Sequence, residues 1–216
     1  MISTARNETF RPFRQNRFLQ GVLVAYALVW FLAAWKPLYP HDWLMENLLV
    51  FVTVPALAFT YRRFPLSDLS YLLIALFLSL HAIGAHYTYS NVPFGFSLKD
   101  AWHLSRNPFD RLVHLSFGLL LAYPVREVFL RVAKTRGFWN YYLPLDVVLA
   151  FSAVFELFEM AAALLTSPEL GDAYLGTQGD VFDAQKDMLM AGLGAVVAMS
   201  VTWVMRRRLA PLNPEM

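Results

Sequence analysis

The chain has 216 residues, a formal net charge of +2 and no cysteine. Hydrophobic residues make up 57% of the sequence and charged residues only 16%, which argues against a soluble domain. The absence of cysteine excludes a disulfide-linked partner, a thiolate metal site and a cysteine nucleophile. The composition predicts no nucleic-acid partner.

Six apolar runs follow one another along the chain, each about 17 to 25 residues long, which is the length of a membrane-spanning helix. They lie at 18–35, 44–60, 69–86, 110–131, 141–165 and 183–205. The runs are continuous and do not alternate with polar residues, so helices are favoured over a barrel. The first run lacks a small-residue cleavage site, which favours a retained span over a signal peptide. We predict an all-α polytopic membrane protein with six transmembrane helices in one bundle, embedded in the lipid bilayer.

The basic residues predict the orientation of this bundle. Most of them fall at the ends of the runs that would share one side of the membrane: Arg6, Arg11, Arg14, Arg17, Arg62, Arg63, Arg131, Lys134, Arg136 and Arg206 to Arg208. The positive-inside rule then places both termini in the cytoplasm of a multi-pass inner-membrane protein. The domains would be a basic segment at 1–17, the bundle at 18–208 and a tail at 209–216. The loops at 36–43, 87–109 and 166–182 would lie outside.

Polar residues gather at the predicted outer end of the bundle. The stretch 176–188 contains three aspartates, two glutamines and two glycines just before the last run. Three pairs have the spacing of one helix face, namely Asp110 with His114, Glu156 with Glu159, and Asp183 with Asp187. An ionised side chain facing lipid costs about 2.5 kcal/mol or more. These groups are therefore expected to face the bundle interior and to meet there.

Two chemistries fit such a cluster. One is a divalent metal held by His114, Asp110, Glu156 and Asp183, which would activate water. The other is metal-free acid–base work by carboxyl groups with separated pKa values. The catalytic candidates are His114, Glu156, Asp110, Glu159, Asp183 and Asp187.

A second set of residues has the chemistry to bind a substrate. The guanidinium groups of Arg106 and Arg111 match a phosphate or a carboxylate in two-point geometry. Backbone amides beside Gly176 and Gly179 suit an anion as well. The further substrate-binding candidates at this end are His86, Tyr87, Thr177, Gln178, Asp180 and Gln185.

Structural roles compete with these functional ones. Asp110 and Arg111 suit a helix start, His114 suits a packing residue, and 177–183 suits a capped turn. The two glutamates would equally suit an ion-pair network with Arg106. His81 is expected to be structural. Arg126 and Glu127 are expected at the inner interface, where a long basic side chain reaches toward water.

Three segments together resemble the YjdF family of bacterial inner-membrane proteins, and the likeness extends over residues 20–205. They are GAHYTY at 84–89 with VPFG at 92–95, SRN at 105–107 with Asp110, Arg111 and His114, and GTQGD at 176–180 with Asp183, Gln185, Asp187 and Met188.

A more distant resemblance is to VanZ-like membrane proteins. It rests on the helix start at 110–114, Glu156 and the small-residue helix at 183–194, although the loop at 87–109 and the GTQGD element depart from that pattern. This resemblance implies a cell-envelope role and the same candidate residues.

The sequence thus predicts a polar pocket near the outer leaflet that binds, and chemically processes, an amphiphilic envelope molecule such as a lipid-linked phosphate or glycan. If it is an enzyme, it is a membrane-embedded hydrolase or transferase. The alternatives are a proton-coupled transporter, since membrane carboxylates also relay protons, and a non-catalytic scaffold for an envelope enzyme.

Overall fold

The computed structural model describes residues 11–165 and 176–209. Within these ranges every secondary-structure element is a helix. The predicted site residues all fall within these ranges, whereas residues 1–10, 166–175 and 210–216 lie outside them. The described helices are α1 (Arg17–Ala34), α2 (Pro40–Thr60), α3 (Asp68–Tyr87), α4 (Pro93–Ala101), α5 (Phe109–Val128), α6 (Trp139–Leu164) and α7 (Asp183–Leu209). A 3₁₀ turn precedes α1 at Phe13–Gln15, and a π-helical turn at Phe129–Ala133 continues α5.

All of these helices except α4 are long and apolar enough to cross a membrane. This confirms the prediction of an all-helical, six-span protein, with each span within a few residues of its expected place. The structure adds one element, because the stretch 87–108 was expected to be a loop and contains α4. Pro93 stands at the first position of this short helix, where a proline costs no helical hydrogen bond.

Successive spans alternate in direction, so α5 and α7 run parallel with α6 returning between them. The start of α5 therefore lies beside the start of α7, and we call this end of the bundle the site end. At the same end, the backbone N–H of Leu38 donates to His86. At the opposite end, which we call the basic end, the amide of Asn16 donates to Asp68 over 2.7 Å.

The closest helix contact in the bundle joins α5 to α7 through two glycines. A Cβ atom added at Gly118 would lie 1.8 Å from the carbonyl oxygen of Ala191, and one added at Gly194 would lie 2.1 Å from that of Leu115. Small residues allow membrane helices to approach at backbone distance. The contact brings the starts of α5 and α7 close together, and this proximity positions the site.

We expect Gly118→Ala to lower the thermal stability of the purified protein in detergent. The added methyl group has no room against the α7 backbone, and overpacking of this kind costs about 1–3 kcal/mol. Gly21→Ala is the matched control, because nothing lies within 4 Å of a Cβ atom at that helical position. Equal melting temperatures for the two variants would contradict the close packing of α5 on α7.

Candidate functional site

The side chain of Arg106 connects the loop before α5, in which it lies, to the loop before α7. Its side chain is buried and forms an ion pair with Asp183, which is buried as well. Its guanidinium also donates to the carbonyl oxygens of Thr177, over 3.1 Å, and Gly176, over 3.4 Å. Both terminal nitrogen atoms of Arg106 therefore bond to protein partners, whereas its buried Nε atom has none among the described residues.

Asn107 strengthens the same junction from the next position. Gln178 exchanges two hydrogen bonds with the Asn107 backbone, at 2.9 Å and 3.1 Å. The Asn107 side chain, which is fully buried, donates to the Val92 carbonyl and accepts from the Phe109 N–H. A Cβ atom at Gly95 would lie 1.8 Å from the Asn107 amide oxygen, so α4 packs directly on this residue.

Asp180 is the acid at the outer edge of the site. It pairs with Arg111 and with Lys186, whose ammonium group lies 2.6 Å away. The hydrogen bond from Lys186, helped by the Phe182 N–H and by Arg111, lowers the pKa of Asp180 to about 2. Arg111 also reaches Asp183 at 3.5 Å. Both predicted anion-binding arginines are thus neutralised by aspartates.

His114 lies deeper and is surrounded by acceptor groups. Its Nε2 atom is 3.4 Å from Glu156 Oε1 on α6 and 3.7 Å from Asp110 Oδ1 one turn earlier on α5. Its Nδ1 atom is 3.4 Å from the hydroxyl of Ser152. The His114 imidazole therefore lies between the carboxylates of Asp110 on α5 and Glu156 on α6.

Asp187 links two groups of metal-ligand atoms. In one group, His114, Glu156 and Asp187 place ligand atoms within 4.8 Å of one another, and in the other Asp110, Asp183 and Asp187 do so. Asp187 is only 2% exposed. Asp187 Oδ1 and Glu156 Oε1 are buried and have no hydrogen-bond partner among the described residues. Buried acceptors are rarely left unsatisfied without a bound group nearby.

The structure brings together most of the residues that the sequence singled out. His114, Glu156, Asp110, Asp183 and Asp187 form the two ligand groups, which we call the acidic cluster. Arg106, Arg111, Thr177, Gln178 and Asp180 form its outer rim. Their roles in binding and catalysis stay predictions.

Glu159 adjoins the acidic cluster. It is half-buried one turn beyond Glu156 on α6 and shares a side-chain hydrogen bond with Glu156, although it belongs to neither ligand group. Three candidates lie apart from the cluster. Gln185 is exposed. The His86 ring bonds to the Ala33 carbonyl at 2.8 Å, and Tyr87 packs against the apolar core between α1, α3 and α5.

Two residues of the site were not among the predicted ones. Ser152 is buried against His114, and its only sequence signal is that it stands four residues before Glu156, on the same helix face. Asn107 is an uncharged residue inside a loop, and its role became apparent only from its contacts. His81 is structural, as expected, because it bonds to the Glu46 carbonyl and to the Tyr89 hydroxyl within the core.

Comparison with known proteins also identifies the chain as a membrane protein. Residues 18–208 match the family described as "Predicted membrane protein (DUF2238)". The chain is 43% identical over 163 residues to the inner membrane protein YjdF of Escherichia coli (strain K12), a match that covers 74% of this chain and 78% of the relative. This confirms the YjdF resemblance, whereas the VanZ-like one stays a prediction. No solved structure matches the chain.

We expect Arg106→Ala to destabilise the protein by about 3 kcal/mol, because it leaves the buried carboxylate of Asp183 with only the more distant Arg111, 3.5 Å away, as a cation. The double variant Arg106→Met with Asp183→Leu should regain much of this loss, since it removes both buried charges. Thermal unfolding in detergent measures both effects, with the exposed Arg62→Ala as control. Wild-type stability of Arg106→Ala would contradict the fastening role of the pair.

The low pKa of Asp180 predicts how its contribution varies with pH. The folded-state pKa of about 2 lies below the unfolded value of about 3.9. The stabilisation is therefore present above the unfolded pKa and is lost as pH falls through the folded one. The melting temperature of wild type should exceed that of Asp180→Asn near neutral pH, and the gap should close in strong acid. With exposed Asp100→Asn as control, a gap that widened in acid would contradict this account.

Proposed function

The chain belongs to the DUF2238 family of membrane proteins, and we propose that this multi-pass inner-membrane protein binds a divalent cation in its acidic cluster. The bound cation would hold, and polarise, the anionic head group of an amphiphilic envelope molecule. The single observation that carries the proposal is the meeting of two ligand groups at Asp187, with one carboxylate oxygen of Asp187 and one of Glu156 left without a hydrogen bond.

Charge balance supports a cation at this place. Arg106 is already engaged by Asp183 and two carbonyl groups, and Arg111 by Asp180. Asp110, Glu156 and Asp187 remain close together, and an unpaired carboxylate in an apolar bundle is costly. A divalent ion would neutralise two of these charges at once.

The donor set narrows the choice of metal. It offers one imidazole, from His114, and several carboxylates, from Asp110, Glu156, Asp183 and Asp187. Imidazole suits zinc and iron, whereas carboxylate oxygens suit manganese and magnesium, so a mixed set favours Zn²⁺ or Mn²⁺. When bound, such an ion supplies a Lewis acid for a phosphoryl or carbonyl oxygen and lowers the pKa of a coordinated water.

The surroundings of Glu156 favour an amphiphilic ligand. The next turn of α6 exposes Leu157, Phe158 and Met160, which are large apolar side chains on a membrane-spanning helix. A molecule that reaches the acidic cluster along this face has its polar group at the cluster and its apolar part in lipid. His114 and Glu156 would serve as the proton-handling pair of a hydrolase or transferase.

Two further observations bear on orientation and on the transporter alternative. The concentration of arginine at the basic end supports cytoplasmic termini and an acidic cluster facing the outer leaflet. Between that cluster and the basic end lies an apolar core of small residues on α5, α6 and α7, with Ala122, Val148 and Ala195 almost fully buried. A packed apolar layer disfavours a continuous proton path through these helices.

Manganese binding to the purified protein tests the proposal. Electron paramagnetic resonance of free Mn²⁺ should reveal a tight site in wild type, displaced by Zn²⁺. Asp187→Asn and Glu156→Gln should each weaken it by about tenfold or more, since loss of even an outer-shell partner costs that much. His114→Gln should act in the same direction and should affect Zn²⁺ more than Mn²⁺.

Asp146→Asn is the matched control, because it removes a carboxylate from the same helix, α6, outside both ligand groups. It should leave Mn²⁺ binding unchanged. If wild type bound no more Mn²⁺ or Zn²⁺ than the triple variant at His114, Glu156 and Asp187, while all variants remained folded, the metal would be ruled out. The cluster would then be left with metal-free acid–base chemistry.

A further inference from the structure

Arg126, at the basic end, is a buried cation that hydrogen-bonds with the Tyr141 side chain and leaves two nitrogen atoms without a partner among the described residues. Its side chain is 4% exposed, and its Nε and Nη2 atoms have no hydrogen-bond partner among the described residues. The guanidinium lies over the ring of Tyr141, 5.0 Å from its centre. A guanidinium held in an apolar bundle with free donors calls for an anion.

The carboxylate nearest in sequence is committed elsewhere. Glu127 accepts hydrogen bonds from the hydroxyl groups of Ser67, at 2.7 Å, and Ser70, at 2.6 Å. It also pairs with Arg131 at 3.0 Å. The sequence placed Arg126 and Glu127 together at the interface, but their side chains serve different purposes.

A cavity of about 1020 Å³ opens between α6 and α7 at the basic end. Arg126 is not among its described lining residues, but its guanidinium lies over the ring of Tyr141, which is one of them. Tyr141 forms part of its lining, together with Trp203, Arg206 and Arg207, and the ring of Trp203 lies 4.0 Å from the Arg207 guanidinium. None of the described lining residues is an aspartate or a glutamate. The cavity continues along the apolar side chains of Leu145, Val196 and Met199.

We propose that this cavity, which we call the basic cavity, binds the phosphate head group of an anionic phospholipid from the leaflet at the basic end. Arg206 and Arg207, which line the cavity, would bind the phosphate oxygens, because guanidinium groups bind phosphate in two-point geometry. Arg126, behind the Tyr141 ring, would add its positive charge. The apolar lining would take the upper part of an acyl chain. Basic pockets between membrane helices bind anionic head groups in this way, and Tyr141 and Trp203 are of the type that lies at the membrane interface.

This site is separate from the acidic cluster and does not depend on the proposed metal. It occupies the other end of α7, beyond the apolar core that contains Ala195. The lipid would neutralise the arginines of the cavity lining and would join α6 to α7 at the end where a cavity lies between them. Its expected effect is therefore greater thermal stability.

The test measures thermal unfolding of delipidated protein in detergent with added phosphatidylglycerol, phosphatidylcholine or inorganic phosphate. Phosphatidylglycerol should raise the melting temperature of wild type clearly more than phosphatidylcholine does, because only the former carries a net negative charge. Arg206→Gln and Arg207→Gln should lose most of that increase, because both residues line the cavity. Arg208→Gln should keep it, because Arg208 carries the same charge on the same helix and is not part of the cavity lining.

Three results would overturn the proposal. Equal stabilisation of wild type by phosphatidylcholine would remove the need for an anionic head group. An undiminished phosphatidylglycerol effect in both cavity variants would exclude the basic cavity as its place. Full stabilisation by inorganic phosphate alone would identify the ligand as the free anion. Arg206, Arg207 and Arg208 all lie near the end of α7 and are exposed, so the three variants are expected to fold.

Discussion

The free-energy cost of placing charged side chains in an apolar helix bundle is the constraint on which this structure depends. The Arg106–Asp183 ion pair offsets that cost at the site end, and it fixes the start of α7 against the start of α5. The glycine contact between Gly118 and Ala191 brings the two helix backbones together below the pair. With the ion pair and the glycine contact in place, carboxylates from α5, α6 and α7 lie together around His114.

The arginines of the site end form ion pairs with Asp180 and Asp183, partners that the sequence did not specify. Their role in binding a substrate anion stays a prediction. What is left without a cation is the inner part of the acidic cluster. The same principle operates with opposite sign at the basic end, where Arg126 has no acidic partner among the described residues. Within the described ranges, negative charge without a paired cation lies at one end of the bundle and positive charge without a paired anion at the other.

The spans could be predicted closely because hydropathy and length determine them almost alone. The convergence of Asp110, Glu156 and Asp187 could also be anticipated, since spacing defines each helix face and lipid excludes charge. The partners of individual side chains could not. Asn107 is an uncharged loop residue, and no charge or helical spacing predicts its contacts. The helix α4 is too short and too mixed in composition to be distinguished from a loop. The choice of Asp183 as the partner of Arg106 depends on how two loops pack.

The parallel course of α5 and α7 has an electrostatic consequence of its own. The positive end of a helix macrodipole lies at the amino terminus. The positive ends of α5 and α7 therefore lie side by side at the site end. Neighbouring parallel dipoles repel each other, and Asp110 and Asp183 in the first turns offset that repulsion. Once a cation or proton has neutralised these acids, the unopposed helix field is directed at whatever occupies the cluster. We therefore expect the helix field to favour an anion at that place once the acids are neutralised.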